Sequence, residues 1–598
     1  MKRFWNVLLC ALMTVSLSAC GSSSAAQATE AAGKYTPGTY TGTAAGRNGD
    51  VTVEVTLSSD KIEKVEVTDH KETEGIGTNA VDAIPGEIVD AQSLDVDAVA
   101  GATVTSDAII EAVKAAMESA GVDVSTLAAS TAAAESAAPE AVDTDYDIVV
   151  VGAGGAGLCA AVTAEENGAS VVVLEKEGVV GGNTLVSGGE IAAPGNDIQK
   201  AQGIEDSADQ FYDDVMKGGD NVADPALVRV LADNALDAAT WLKDDVGEEF
   251  EEDNLFKFGG HSVARSLVPV GQNGVEMITK LSRKAEDLGV VVLTNCDAKE
   301  LVQDDSGKVV GVKADYNGQD VTFNAAKAVI LTTGGFGSNI EMRKQYNPEM
   351  DEKILSTCTS GSTGDGIVMG QAVGAAVRDM EYIQTYPTCD ITSGLLLYVG
   401  DVRLDGRALL VNKEGDRFVG ELDRRDVISK AVTEQTGSVS YMVWEQSMMD
   451  QTKMDQIHAD EYKKLLDDGH IVKADTLKEA ADFFGIDADE LQKTIDQWNA
   501  DCAAGKDSLY DGTGPDLIPI EEGPYYIMVS QPSVHHTMGG LVINTNAEVQ
   551  NENGETIPGL YAAGEVTGGI HGTNRLGSDA ICDITVFGRI AGANAAKN

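Results

Sequence analysis

Residues 147–157 read Asp147-Ile148-Val149-Val150-Val151-Gly152-Ala153-Gly154-Gly155-Ala156-Gly157, an apolar run that breaks into closely spaced glycines. The run predicts a buried strand, the glycines a tight turn, and residues 158–167 a helix. Ser170-Val171-Val172-Val173-Leu174 predicts a second strand, ended by Glu175. Strand, glycine turn, helix, strand and acid, in that order, describe a dinucleotide site. The helix N-terminus faces a pyrophosphate and the acid meets ribose hydroxyls. The fold class that follows is α/β, with a Rossmann-like nucleotide-binding domain.

The rest of the chain is arranged around that unit. Residues 145–380 and 531–598 form the nucleotide-binding domain, and 381–530 are a distinct insert. The insert is predicted to be an α+β capping domain that closes on substrate and excludes water. A small α+β unit precedes it over residues 38–120. There Thr52-Val53-Glu54-Val55-Thr56-Leu57 and Lys64-Val65-Glu66-Val67 alternate like half-buried strands. Ile109, Ile110, Val113 and Met117 recur at helical spacing over 107–120. Residues 121–144 are an Ala/Ser-rich linker.

Composition narrows the partners. Lys plus Arg is 43 against 96 Asp plus Glu, a net charge of −53. A phosphate backbone needs basic partners, so nucleic acid is excluded, and so is docking on anionic lipid through charge. None of the 8 cysteines forms CxxC or a haem-attaching CxxCH, so buried free thiols are expected and no metal site is predicted. Lys2 and Arg3 precede an apolar run over 7–17 that ends Leu17-Ser18-Ala19-Cys20, which reads as a signal peptide over 1–19. The run falls short of the ~20 residues that span a bilayer. Leu-Ser-Ala-Cys resembles the bacterial lipobox. That resemblance implies lipidation of Cys20, a tether over 20–37, and a place on the outer face of the cytoplasmic membrane held by the lipid alone.

Four further segments identify the nucleotide. They are Gly181-Gly182-Asn183-Thr184, Ser187-Gly188-Gly189, Thr332-Thr333-Gly334-Gly335-Phe336-Gly337 and Tyr561-Ala562-Ala563-Gly564-Glu565. With the glycine turn they resemble the FAD-binding pattern of the fumarate reductase and succinate dehydrogenase flavoprotein family over residues 145–598. The resemblance implies FAD held by Gly152, Gly154, Gly155, Gly157, Glu175, Gly182, Asn183, Thr184, Gly188, Gly189, Gly334, Gly335, Asp365, Glu565 and Ile581, with Glu565 at the ribityl chain. Members that attach FAD covalently use a His near Gly-Gly-Asn-Thr. No His lies between residues 147 and 260, so non-covalent FAD is expected.

In the small unit, Asp97-Ala98-Val99-Ala100-Gly101-Ala102-Thr103 resembles the flavinylation motif of FMN-binding domains. The resemblance implies FMN linked through a phosphoester to Thr103, with Thr105 a less favoured acceptor, and a flavin transferase that loads it. Ala100 stands where that family often has Ser or Thr. Electrons would then pass from a membrane donor, such as a quinol dehydrogenase, through FMN to FAD.

The chemistry falls on Gln384-Thr385-Tyr386-Pro387-Thr388, Leu422-Asp423-Arg424-Arg425-Asp426, Val534-His535-His536-Thr537 and Asn574-Arg575-Leu576-Gly577. Reducing an activated C=C takes a hydride at the β carbon, a proton at the α carbon, and cations on the carboxylate that stabilise enolate-like charge. Flavin carries the hydride chemistry. The resemblance implies Arg424 as proton donor, His535 and Arg575 as the carboxylate grip, and Arg403 as a relay arginine. His536 reads equally as structural or catalytic.

Departures from the family bear on the substrate. Tyr386 stands where fumarate reductases carry the His that holds fumarate's second carboxylate. Val399-Gly400-Asp401 stands where they carry Thr-Glu. An Asp repels a carboxylate but pairs with an imidazole, and a phenol can bond or stack on the ring. Tyr386 with Asp401, and Gln384 beside them, resembles the substrate site of urocanate reductases, which implies reduction of urocanate to imidazole propionate. Other enoates of the same family (fumarate, methacrylate, an aryl acrylate) are the nearest alternative. A ketosteroid-type FAD dehydrogenase and an electron-carrier lipoprotein are alternatives of other classes.

Overall fold

The structure is a computed structural model that describes residues 35–46, 49–72, 77–94, 96, 103–120, 122, 142–405, 407–511 and 517–597. The leader with Cys20, and residues 97–102 of the flavinylation motif, lie outside the described residues, as does the side chain of Thr103.

Strands β1 (Gly38–Ala45), β2 (Asp50–Leu57) and β3 (Ile62–Asp69) form an antiparallel sheet in the order β1-β2-β3. Helices α1 (Gly77–Ala91) and α2 (Thr103–Ser119) pack on it. The alternation seen in the sequence places Val51, Val53, Val55 and Leu57 inside, against Ile109, Val113 and Met117 of α2. Helix α1 contains Pro85, a residue that argues against a helix on propensity alone. Ala80, Ile84 and Ile88 recur every four residues and are fully buried, so tertiary packing overrides the proline.

Strand β4 (Asp145–Val151), helix α3 (Gly155–Glu166) and strand β5 (Val171–Leu174) reproduce the order expected from the glycine turn. They lie in an eight-stranded sheet. Its path runs Cys296–Gln303, Val309–Tyr316, Gln319–Leu331, β4, β5, Val291–Leu293. The pairings of β4, β5 and Val291–Leu293 are parallel, and both faces are covered, as continuous Val/Ile runs require.

The insert has its own sheet, in the order Ile383–Cys389, Tyr525–Thr537, Ser440–Glu445, Leu409–Val411, with Ile471–Ala474 also on Tyr525–Thr537. A separate core includes Trp444 stacked on Tyr526 at 5.2 Å. Helix α4 (Arg425–Thr433) packs on Ile383–Cys389. The 530/531 boundary expected from the sequence falls inside strand Tyr525–Thr537. That strand carries His535 and His536 straight out of the capping core to the nucleotide-binding domain. The chain closes with Thr556–Ala562 on the large sheet and helix α5 (Asp579–Ala596) against α3.

Candidate active site

The turn between β4 and α3 is built for close approach. Gly152 has φ 103°, and a Cβ there would stand 2.6 Å from the Thr332 carbonyl oxygen. A Cβ on Gly157 would stand 1.9 Å from the Gly152 oxygen. The first is a backbone that side chains rarely adopt. The second is the close packing of helix on strand that a pyrophosphate turn needs. Glu175, at the end of β5, accepts from the backbone N–H groups of Ala153 (2.8 Å) and Glu177 (2.9 Å). Burial raises its pKa above the ordinary carboxylate value.

From this turn a cavity of about 1910 Å³ runs past Asn183 and Thr184 to Glu565. Glu565 is held from both sides. Thr537 N–H donates to it at 2.9 Å and the Asn183 amide at 3.3 Å. Burial would raise the Asp365 pKa, but bonds from Lys176 (2.6 Å) and Thr363 (2.7 Å) hold it below its usual value. The open helix N-terminus, the glycine cradle and the acid at the strand end fit FAD.

Beside the far end of this cavity lies a pocket of about 130 Å³. Tyr386, Asp401, Arg425, His535, Arg575 and Glu190 supply its chemistry. Arg425 opens α4 and lies over two rings, its guanidinium carbon 4.7 Å from the centre of Tyr386 and 5.4 Å from that of Phe258. Its Nη1 and the Arg575 Nε are buried without a hydrogen-bond partner. Burial, then the charge of Arg425, lowers the Arg575 pKa to about 9.

His535 Nδ1 lies 2.8 Å from the Thr357 hydroxyl. Burial, then Arg575 and Arg425, hold the His535 pKa well below its usual value. It is therefore neutral at pH 7. A Thr357 hydroxyl that donates to Nδ1 would leave the ring proton on Nε2, where it can grip an anion. The Tyr386 hydroxyl donates to Asp401 Oδ1 at 3.3 Å. Burial, then the nearby Glu190, raises the Asp401 pKa to about 8, and burial raises that of Glu190 too. The pocket thus brings cations and a neutral imidazole together with Asp401, whose pKa of about 8 favours its protonated form at pH 7, and Glu190, whose pKa is also raised by burial.

Residues 147–581 match the FAD binding domain family, and residues 46–118 match the FMN-binding domain family. Over 93% of its length the chain is 51% identical to urocanate reductase of Eggerthella lenta, covering 92% of that protein. The chain belongs to the fumarate reductase flavoprotein family. It is an oxidoreductase acting on CH–CH groups, with an FAD domain preceded by an FMN domain. It is 41% identical to the cytochrome-type fumarate reductase of Shewanella frigidimarina, over 75% of this chain and 77% of that one. The solved open conformation of a flavocytochrome c3 fumarate reductase superposes with TM-score 0.63 at 36% identity, covering 76% of this chain and 78% of that chain.

Gly152, Gly154, Gly155, Glu175, Gly182, Asn183, Thr184, Gly334, Asp365 and Glu565 line the large cavity. Gly188, Gly189 and Ile581 line the small one. Gly157 and Gly335 lie behind the wall, where a Cβ on Gly335 would stand 2.0 Å from the Thr537 hydroxyl. Tyr386, Asp401, His535, His536 and Arg575 all reach the small pocket. Arg403 is buried behind it, donating to the Glu421 carbonyl.

Two assignments are corrected. Arg424 does not enter the pocket: it bonds Asp220 at 2.7 Å and Asp426 at 2.6 Å, and Arg425 takes the place expected for it. Arg424 is the extended residue that caps α4 (φ −57°, ψ 147°), so the two side chains leave the backbone in different directions. Gln384 lies outside the lining of the pocket: its amide nitrogen donates to the Asn574 side chain and the Arg575 carbonyl, both at 2.7 Å, and steadies the loop that carries Arg575, while its Oε1 is buried without a hydrogen-bond partner. Glu190 was missed, because its only signal is an acid after Gly188-Gly189. In the FMN domain the Thr105 hydroxyl donates to the buried Glu72 carboxylate, so the less favoured acceptor is already engaged.

Proposed function

We propose that this chain reduces urocanate to imidazole propionate. The observation that carries the reading is the pair of acids, Glu190 and Asp401, in the same pocket as the phenol of Tyr386. A second substrate carboxylate, as in fumarate, would meet two acids there. An imidazole offers both a ring N–H and an acceptor nitrogen, which two carboxyl groups can read.

Arg575 and the Nε2–H of His535 hold the substrate carboxylate and stabilise the charge that builds on it. FAD, when bound, supplies the hydride for the β carbon. Arg425 gives a proton from Nη1 to the α carbon, so one hydride and one proton add across the C=C. A guanidinium is a poor acid in water. Here burial, ahead of every neighbour, lowers its pKa, and the carbanion it protonates is far more basic. Arg403, buried behind the pocket, is the relay that restores the proton of Arg425.

An anaerobic assay with reduced viologen tests the substrate. Urocanate turnover is expected to exceed fumarate turnover by ~10⁴-fold in kcat/KM, since a site built to bond a ring rejects a ligand without one. Faster fumarate turnover would overturn the reading.

We also place the protein outside the cytoplasmic membrane, lipidated on Cys20, with FMN on Thr103 loaded by a flavin transferase and reduced by a membrane donor. The basic start, the short apolar run and Leu-Ser-Ala-Cys support the anchor. The FMN domain supports the electron entry. Among the described residues no helix is long and apolar enough to cross a membrane. Cys20→Ala is expected to move the protein from membrane to soluble fraction. Thr103→Ala is expected to abolish in-gel flavin fluorescence of the denatured band.

A further inference from the structure

Arg424 lies next to the proton donor yet points away from the pocket, and what it holds is informative. Its Nη1 and Nη2 meet the two oxygens of Asp220 at 2.7 and 3.2 Å. Its Nε and Nη2 meet Asp426 at 3.0 and 2.6 Å. The planar fork of Arg suits such a two-carboxylate bridge, where a Lys would pair with one. Asp426 belongs to α4 of the capping domain, whereas Asp220 belongs to the FAD domain, just after helix Ala208–Gly218.

Asp220 has a second client. Its Oδ2 accepts the Thr573 hydroxyl, two residues before Arg575. The same turn grips that segment through its backbone: Thr573 N–H donates to Gly219 O at 3.2 Å, and the Asn574 amide donates to Gly218 O at 3.3 Å. Asp220 and its neighbour Asn221 both have left-handed φ, 56° and 58°. A residue with a Cβ adopts that backbone at a cost, and Asp220 uses it to reach both segments with one carboxylate. The Arg424 bond, ahead of a weaker opposing effect of burial, lowers the Asp220 pKa, and bonds to Asp426 and Asp220 raise that of Arg424. Both stay charged at neutral pH.

We propose that Asp220 and Arg424 are a closure latch: one carboxylate ties the segment that carries Arg425 to the segment that carries Arg575, and so fixes the proton donor against the carboxylate grip. Both are positioning residues, since neither side chain reaches the pocket. The latch rests on the reading of this pocket as a C=C reductase site but not on which enoate it takes. Asp220 is half exposed, with 51% of its side-chain surface open, so salt reaches the pair. A latch that must form on each closure slows turnover when it is lost, because small misplacements of a reacting group are costly.

The test uses the holoenzyme with Asp220→Asn, Arg424→Gln and the double variant, assayed at saturating urocanate or fumarate, whichever the wild type reduces. A wrong substrate assignment then leaves the result untouched. Each single change is expected to lower kcat about tenfold and to enlarge its solvent deuterium isotope effect, because proton transfer from a displaced Arg425 becomes limiting. FAD content and Tm stay at wild-type values. The double variant is expected to be no slower than either single, since both break one interaction. The wild-type kcat should fall with added salt, and the variants' should not. Arg424→Lys, which keeps the charge but not the bridge, repeats the test if Asp220→Asn loses FAD. Single variants with wild-type kcat, or losses that multiply in the double variant, would overturn the latch.

Discussion

Arg425→Ala is expected to lower kcat by about 10³-fold, the scale of a lost general acid, while FAD content and Tm match the wild type. Arg424→Gln, one residue away, is expected to stay within about tenfold of wild type. The contrast follows from burial and partners. Arg425 is enclosed by Tyr386 and Phe258 and leaves Nη1 without a hydrogen-bond partner. Every donor that Arg424 is seen to use is on a carboxylate outside the pocket. Arg425→Lys recovers little, because a buried ammonium sheds its proton and a compact head on a flexible stem does not reproduce the guanidinium's reach. Single-turnover kinetics on reduced enzyme check the assignment, and wild-type rates in Arg425→Ala would move the proton donor elsewhere.

The difference between these two residues also shows what a sequence exposes and what it hides. The β4-turn-α3-β5 unit was legible because its signals are local. An apolar run predicts a strand, glycines admit a pyrophosphate, and Glu175 ends the next strand in the right place. The segments around Tyr386, His535 and Arg575 were legible as motifs, and the structure brings them to one pocket. In an Arg-Arg-Asp string at a helix start, by contrast, the helix boundary decides which arginine turns inward. Helix boundaries are the least readable feature of a sequence. Glu190 was hidden for another reason. An acid after two glycines looks like a solvated turn until Arg425, Arg575 and Asp401 are seen around it. Gln384 sits in the expected segment, but its amide nitrogen bonds the Arg575 loop outside the pocket lining. Helix α1 was hidden by Pro85, whose local cost is outweighed only once Ile84 and Ile88 have a sheet to pack on.

The largest change in specificity is expected from the two acids. In Asp401→Asn and Glu190→Gln, kcat/KM for urocanate is expected to fall by ~10²-fold each. In the double variant the fall approaches the ~10⁴-fold range that separates a ring-bonding site from one that cannot bond the ring. Above about pH 8 turnover of fumarate should rise in Asp401→Asn, since there the wild-type Asp401 is charged and repels the second carboxylate. The pH dependence carries the sign. Asp401 has a pKa raised from 3.8 to about 8, so below about pH 8 it is a neutral acid that donates to the unprotonated ring nitrogen, and above it that donor is lost. Urocanate kcat/KM is therefore expected to fall on an alkaline limb near pH 8, and Asp401→Asn to remove that limb. The same shift has a consequence for folding. The folded chain binds this proton more tightly than the unfolded chain, so its contribution to stability is present below pH 3.8 and lost as pH rises toward about 8. Urocanate binding should offset that loss, because a ring bonded to Asp401 stabilises the folded form in proportion to its occupancy. Tm measured against pH, with and without urocanate, checks this. A ligand-induced rise in Tm that is equal in the wild type and Asp401→Asn would mean that Asp401 does not touch the ring.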